Sequence, residues 1–290
     1  MLARFYLLAA VIIWGWTFVA TKVCLQFLTP AELLAARFLM ALPLLWIIMR
    51  SRGHKLRIAR EHRLIVWASA GLFGFHFLLQ TMGLMYTSAT NSAWIVAISP
   101  LVMAIMAWLI LHEKLQPATV IGIVVAFGGL MLLVSASQTG ELGIGANLGD
   151  WLTLGSAFTW SLYTITTRDL SRAYPPMVVT VAMLIPATVL LNIYMAATSP
   201  PGIFLTLNTE AYVALAFLGF VGMGMAHWFW LEGMARVGVA RAAVYLYLEP
   251  LATTALAVPY LGEPFGMWAA IGGTLVLAGV FYASRNGKSG

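Results

Sequence analysis

Apolar residues run through the chain in ten long stretches, each separated from the next by a short polar connector. The stretches lie near 3–24, 31–50, 64–84, 88–111, 117–136, 148–168, 176–196, 211–233, 239–260 and 265–284. Each is close to the roughly 20 residues that a helix needs to cross a hydrocarbon core. The pattern predicts an all-α, polytopic membrane protein of ten transmembrane helices, and what remains is connectors, too short for a soluble domain. The first stretch continues through Val23, Cys24, Leu25 and Gln26 without a small-residue cleavage site. It is therefore expected to be a retained span and not a removed signal.

The pattern also repeats. Trp14, Lys22 and Pro30 recur as Trp160, Arg168 and Pro176, each shifted by 146 residues. Pro100, Glu113, Gly122 and Gly129 recur as Pro250, Glu263, Gly272 and Gly279, each shifted by 150. Landmarks kept in one order with so small a slip argue for an internal duplication. The halves, 1–138 and 147–290, then carry five helices each within one membrane-embedded unit. An odd number per half turns the second copy over, giving two inverted five-helix repeats, an arrangement common among transporters.

Composition agrees. Hydrophobic residues make up 61% of the chain and charged residues only 9%, against about 25% charged in soluble proteins. The single cysteine, Cys24, allows no internal disulfide and belongs to no metal-ligand cluster, so neither metal nor cofactor is expected. The net charge of +6 raises nucleic acid as a partner, but its distribution points elsewhere. Arg50, Arg52, Lys55, Arg57, Arg60 and Arg63 crowd the connector between the second and third stretches. The positive-inside rule makes that connector cytoplasmic. Alternation then places Arg4, Lys114, Arg168, Arg172, Arg236, Arg241, Arg285 and Lys288 on the same side, so 14 of the 16 basic residues agree. Both termini are expected in the cytoplasm. Glu141, Asp150, Glu210 and Glu263 fall on the opposite side.

Polar residues inside a membrane span default to pore or partner positions. Trp14, Thr17 and Thr21 share one helix face, and Trp160, Tyr163 and Thr167 repeat it in the second half. Together with Trp16, His76, Gln80, Ser92, Ser99, His227, Tyr245 and Glu249 they are the candidate substrate contacts of a central cavity. The competing reading makes the hydroxyls packing contacts between helices. Ser99-Pro100 and Glu249-Pro250 are expected to kink their helices and expose the carbonyl four residues back. Such kinks serve equally well to shape the bundle. Glu113 and Glu263 are expected to hold tight turns by accepting backbone donors at the start of the helix that follows. Lys22 and Arg168 are matched cations at helix ends, and Arg37 is expected to snorkel or to pair with Glu32. These are gate or anchor positions.

The residues Trp14-Gly15-Trp16-Thr17-Phe18 through Lys22, Arg37, Tyr86-Thr87-Ser88-Ala89, Ser99-Pro100, His112-Glu113-Lys114, Glu249-Pro250 and Gly262-Glu263 resemble the EamA family of the drug/metabolite transporter superfamily. Within it the chain is most similar to the YddG-like aromatic amino-acid exporters. It departs from the pattern at Thr159-Trp160-Ser161-Leu162, where the first half has Trp-Gly-Trp. The resemblance implies an inner-membrane exporter of small metabolites working by alternating access. Its cargo would be amino acids, aromatic or neutral ones such as threonine and methionine. Walls of Trp, Tyr, Met, Ser, Thr and Gln suit a neutral or zwitterionic solute. Glu249, a mid-membrane carboxylate beside Tyr245, leaves a cationic-drug exporter of the same fold as the alternative. The expected partners are that small-molecule substrate and the lipid bilayer, without nucleic acid, and the expected unit is a monomer.

Other classes fare worse. No His-Glu-x-x-His or Gly-x-Ser-x-Gly constellation supports an enzyme. Gly287-Lys288-Ser289 ends like a phosphate loop, but residue 282 is a tyrosine where the loop needs glycine. A channel selective by charge rings would repeat acidic or basic residues at one depth, and the stretches do not.

Overall fold

A computed structural model describes residues 2–112, 116–136, 147–237, 242 and 244–286, and the regular structure among them is helical. The first half contributes α1 Leu2–Cys24, α2 Pro30–Ser51, α3 Arg63–Tyr86, α4 Ala89–Val96, α5 Ser99–Leu111 and α6 Pro117–Ala136. The second contributes α7 Leu148–Thr166, α8 Arg168–Ala173, α9 Pro176–Thr198, α10 Thr209–Ala216, α11 Ala226–Val237, α12 Glu249–Leu261 and α13 Met267–Asn286. Among the described residues, six segments are long and apolar enough to cross a membrane: 2–24, 30–51, 60–86, 89–110, 176–198 and 209–237. Shorter apolar helices cover 117–133 and 267–283.

Local chemistry explains where several helices start and stop. Thr29 and Glu32 form a capping box at the start of α2, as do Asn147 and Asp150 at α7. Ser88 and Asn208 cap α4 and α10 by accepting the N–H three residues on. Each side-chain oxygen satisfies one of the donors that a helix start leaves unpaired. At the other ends, His112 closes α5 and Gly262 closes α12, both in the left-handed region, at φ 54° and 67°. They are 150 residues apart.

Three apolar stretches differ from the single helices expected of them. The fourth breaks: α4 ends at Val96, α5 begins at Ser99, and Pro100 occupies its first turn. Proline fits there because that N–H has no intrahelical partner anyway, so the sequence makes a break and not a kink. The carbonyl four residues before Pro100 belongs to Val96, and the Ser99 hydroxyl donates to it at 2.6 Å. Pro250 likewise sits in the first turn of α12, after a 3-10 turn over Val244–Leu248. The eighth stretch contains a π-helical run, Phe217–Met225, between α10 and α11.

Glycines set the closest crossings. A Cβ on Gly122 would stand 2.5 Å from the Gly279 carbonyl oxygen, and one on Gly129 would stand 2.6 Å from that of Gly272. The backbones of α6 and α13 therefore touch at two points along their crossing. Gly83 of α3 and Gly149 of α7 meet in the same manner. In lipid, where burying apolar surface gains little, such backbone approach is what holds helices together. The largest buried cluster sits on α2 (Leu33, Leu34, Phe38, Leu45, Met49), packed against α9 (Val178, Val181, Leu184) and Leu218.

Candidate functional site

Two pairs of indole and imidazole rings stand inside the bundle. Trp14 of α1 lies 5.7 Å from the ring of His227 and 5.3 Å from that of Trp230, both on α11. Its Nε1–H donates to the Gly222 carbonyl at 3.1 Å. That carbonyl lies within the π-helical run, whose widened turn often accompanies function. The second pair joins His76 of α3 to Trp160 of α7, rings 5.0 Å apart. Tyr163, one turn on, lies 5.2 Å from Trp160 and 5.4 Å from Phe73. Each pair takes one ring from the first half and one from the second. His76 Nδ1 is 2.9 Å from the Ser156 carbonyl oxygen. A carbonyl only accepts, so Nδ1 carries the hydrogen and Nε2 is left as an acceptor.

Arg37 completes this region, and not as the sequence suggests. It neither snorkels nor pairs with Glu32. Glu32 is engaged at the start of α2, where Oε2 accepts the Thr29 N–H at 2.7 Å. Arg37 is only 5% exposed, with its guanidinium 5.0 Å above the ring of Phe77. Phe77 in turn stands 4.9 Å from His76.

The remaining candidates divide. The Thr17 hydroxyl donates to the Trp14 carbonyl at 2.6 Å, and its methyl group fills the space beside Gly222. Ser92 Oγ lies 3.2 Å from Thr153 Oγ1, tying α4 to α7. Gln80 is half-buried on α3, one turn beyond His76. Trp16 is 41% exposed in a row with Phe5, Leu8 and Ile12, apart from the ring pairs. Tyr245 and Glu249 are half-buried outside both pairs. The Glu249 backbone crosses α1 at Gly15, where a Cβ would stand 2.7 Å from its carbonyl oxygen.

Polar contacts gather at the two ends. Glu263 was expected to hold the turn before α13. Instead its carboxylate accepts the N–H groups of Ala89 and Thr90, at 2.6 and 2.9 Å, and caps α4 from the other half of the chain. The first turn of α4 presents unpaired donors and the positive end of its dipole, which a carboxylate satisfies. Lys22 feels the charge of Glu263. Beside it, Asp150 accepts from the Thr87 hydroxyl at 2.6 Å and from the Asn91 amide. At the Arg-rich end, Glu232 bridges Arg52 and Arg236 at 2.9 and 2.6 Å. Arg168 begins α8. Glu113 lies outside the described residues.

Sequence reasoning did not single out Phe73, Phe77 or the Gly222 carbonyl, and it read Asp150 only as a charge on the external side. Phe73 and Phe77 share the His76 face at helical spacing, a signal that was present. The Gly222 carbonyl gave none, because a glycine-rich apolar run reads as ordinary helix. A surface cleft lined by Leu56, Ile58, Val66, Trp67, Ala182 and Pro186 shares no residue with the ring pairs. Apart from Arg63, its lining is apolar.

The sequence matches the EamA-like transporter family at residues 1–135 and again at 147–285. An uncharacterized transporter of Archaeoglobus fulgidus is 30% identical over 277 residues, covering 93% of each chain. The Bacillus subtilis uncharacterized transporter YyaM is 28% identical over 274 residues, covering 93% of this chain and 89% of its own. A probable terminal-alkyne amino-acid exporter of Streptantibioticus cattleyicolor is 26% identical over 279 residues, covering 96% of this chain and 92% of its own. A solved crystal structure superposes with a TM-score of 0.70 at 20% identity, covering 99% of both chains, and so shares the fold. With the family matched over both halves of an apolar chain whose described regular structure is helical, the protein belongs to the EamA-like transporter family and is a membrane transporter.

Proposed function

We propose that the protein exports amino acids, aromatic and other neutral ones such as threonine and methionine, or closely related metabolites, across the inner membrane by alternating access. In this reading ten spans form two inverted five-helix repeats, with both termini in the cytoplasm. The double family match supports the repeat, and the clustering of basic residues supports the orientation.

One observation carries the reading. The Trp14–His227 pair and the Trp160–His76 pair are counterparts: the tryptophans are 146 residues apart and the histidines 151. Each pair joins the two halves, so rocking one half against the other changes both together. Transport sites of repeat-built carriers lie at such an interface. Aromatic walls suit an apolar side chain, with stacking worth about 0.5–1.5 kcal/mol beyond burial. The Streptantibioticus relative, named as a probable amino-acid exporter, agrees with this cargo class.

Purified protein in liposomes tests it. Flux of phenylalanine, tryptophan, methionine or threonine should exceed that of protein-free liposomes. No acceleration of any of the four would overturn the amino-acid reading.

A further inference from the structure

We infer that Arg37 is the anchor for the solute's carboxylate. This rests on the transport reading above and narrows it to a solute with one carboxylate and an apolar or aromatic body.

The inference starts from a buried cation without an anion. Arg37 is 5% exposed and its Nε is buried without a hydrogen-bond partner. Among the described residues no acidic side chain pairs with it. Glu32, five positions earlier, is held by the cap at Thr29. A guanidinium keeps its charge over the physiological range. Charged side chains buried in membrane proteins pair or line a pathway, and this one lies over the ring of Phe77.

Its position is that of a solute contact. Phe77 touches His76, and His76 touches Trp160, so the guanidinium is two rings away from the second tryptophan wall. The guanidinium fork matches a carboxylate in two parallel hydrogen bonds. A phosphate or polyanion would call for several cations at one depth, and among the described residues the other cation–ring contacts, those of Arg52 and Arg236, fall on Trp228 and Tyr6, outside these ring pairs. The carboxylate would sit on Arg37, the side chain among the rings, and an ammonium group would find the Nε2 acceptor of His76.

The test is a series of four probes in proteoliposomes: L-phenylalanine, 3-phenylpropionate, L-phenylalanine amide and 2-phenylethylamine. Wild-type protein should transport or be inhibited by the first two, with the last two weaker by about tenfold to a hundredfold, the worth of a charge-assisted hydrogen bond. Arg37→Gln should raise KM for L-phenylalanine over the same range and abolish the preference for a free carboxylate, and Arg37→Lys should restore part of it. Equal handling of phenylalanine and its amide by wild-type protein would overturn the anchor while leaving amino-acid transport intact. That comparison needs no variant, so it stands even where Arg37→Gln fails to fold. Preference for the amine would overturn the anchor in favour of a cation site, and no flux of any probe would overturn the transport reading and the anchor together.

Discussion

Trp14 meets His227 with ring centroids 5.7 Å apart and planes at 63°, and the two residues come from opposite halves of the chain. The Trp160–His76 contact, at 5.0 Å, repeats the relationship. If these rings are walls of a solute site, shortening one should weaken binding without unfolding the protein. Trp14→Ala or Trp160→Ala should raise KM for an aromatic amino acid by about threefold to tenfold, the worth of one lost ring contact. Replacement by phenylalanine should recover most of it. Radiolabelled uptake alongside size-exclusion profiles checks both halves of the statement.

Glu263 holds the first turn of α4 from the other half of the chain, with two backbone N–H groups on one carboxylate. Glu263→Gln should loosen that end of the bundle at a cost of about 1–2 kcal/mol, the range for a lost cap. Cys24 supplies a native reporter: it is buried near the same end and is the chain's one cysteine. Its maleimide labelling should be slow in the wild type and several times faster in the variant.

Neighbouring glycines on α6 should behave oppositely. A Cβ on Gly129 would stand 2.6 Å from the Gly272 carbonyl oxygen, whereas one on Gly128 meets nothing within 4 Å. Gly129→Ala should therefore cost about 1–3 kcal/mol by overpacking. Gly128→Ala should be neutral or stabilise by up to about 1 kcal/mol through helix propensity. Thermal unfolding of the two variants in one detergent compares them directly.

The proposed orientation makes the connector 52–59 cytoplasmic and the connector 199–208 external. In a Cys24→Ala background, a cysteine at Gly202 should react with a membrane-impermeant maleimide in intact cells, and one at Gly53 should react only after lysis.

What the sequence made legible is what repeats or has a period. The landmark shifts of 146 and 150 residues fall on paired features of the structure: Trp14 with Trp160, and the Gly122–Gly279 and Gly129–Gly272 contacts. His76, Trp160, Tyr163 and His227 could be chosen because polar and aromatic residues in apolar helices need partners. The misreadings came from contacts whose partners are far away in sequence. Glu263 is 174 residues from Ala89, and nothing local distinguishes that cap from one made to its own turn. Arg37 was misread for the opposite reason, because Glu32 is near. Yet Thr29 with Glu32 spells a capping box, which had already engaged that carboxylate. The π-helical run was illegible because its apolar, glycine-rich sequence is equally compatible with an α-helix.

The most direct test of the paired-ring site is counterflow. Liposomes loaded with excess unlabelled L-phenylalanine should transiently accumulate labelled L-phenylalanine through the wild-type protein. The folded double variant Trp14→Ala/Trp160→Ala should accumulate little above protein-free liposomes. Equal accumulation by the double variant, or none by the wild type, would contradict a carrier whose solute site lies between the two tryptophan–histidine pairs.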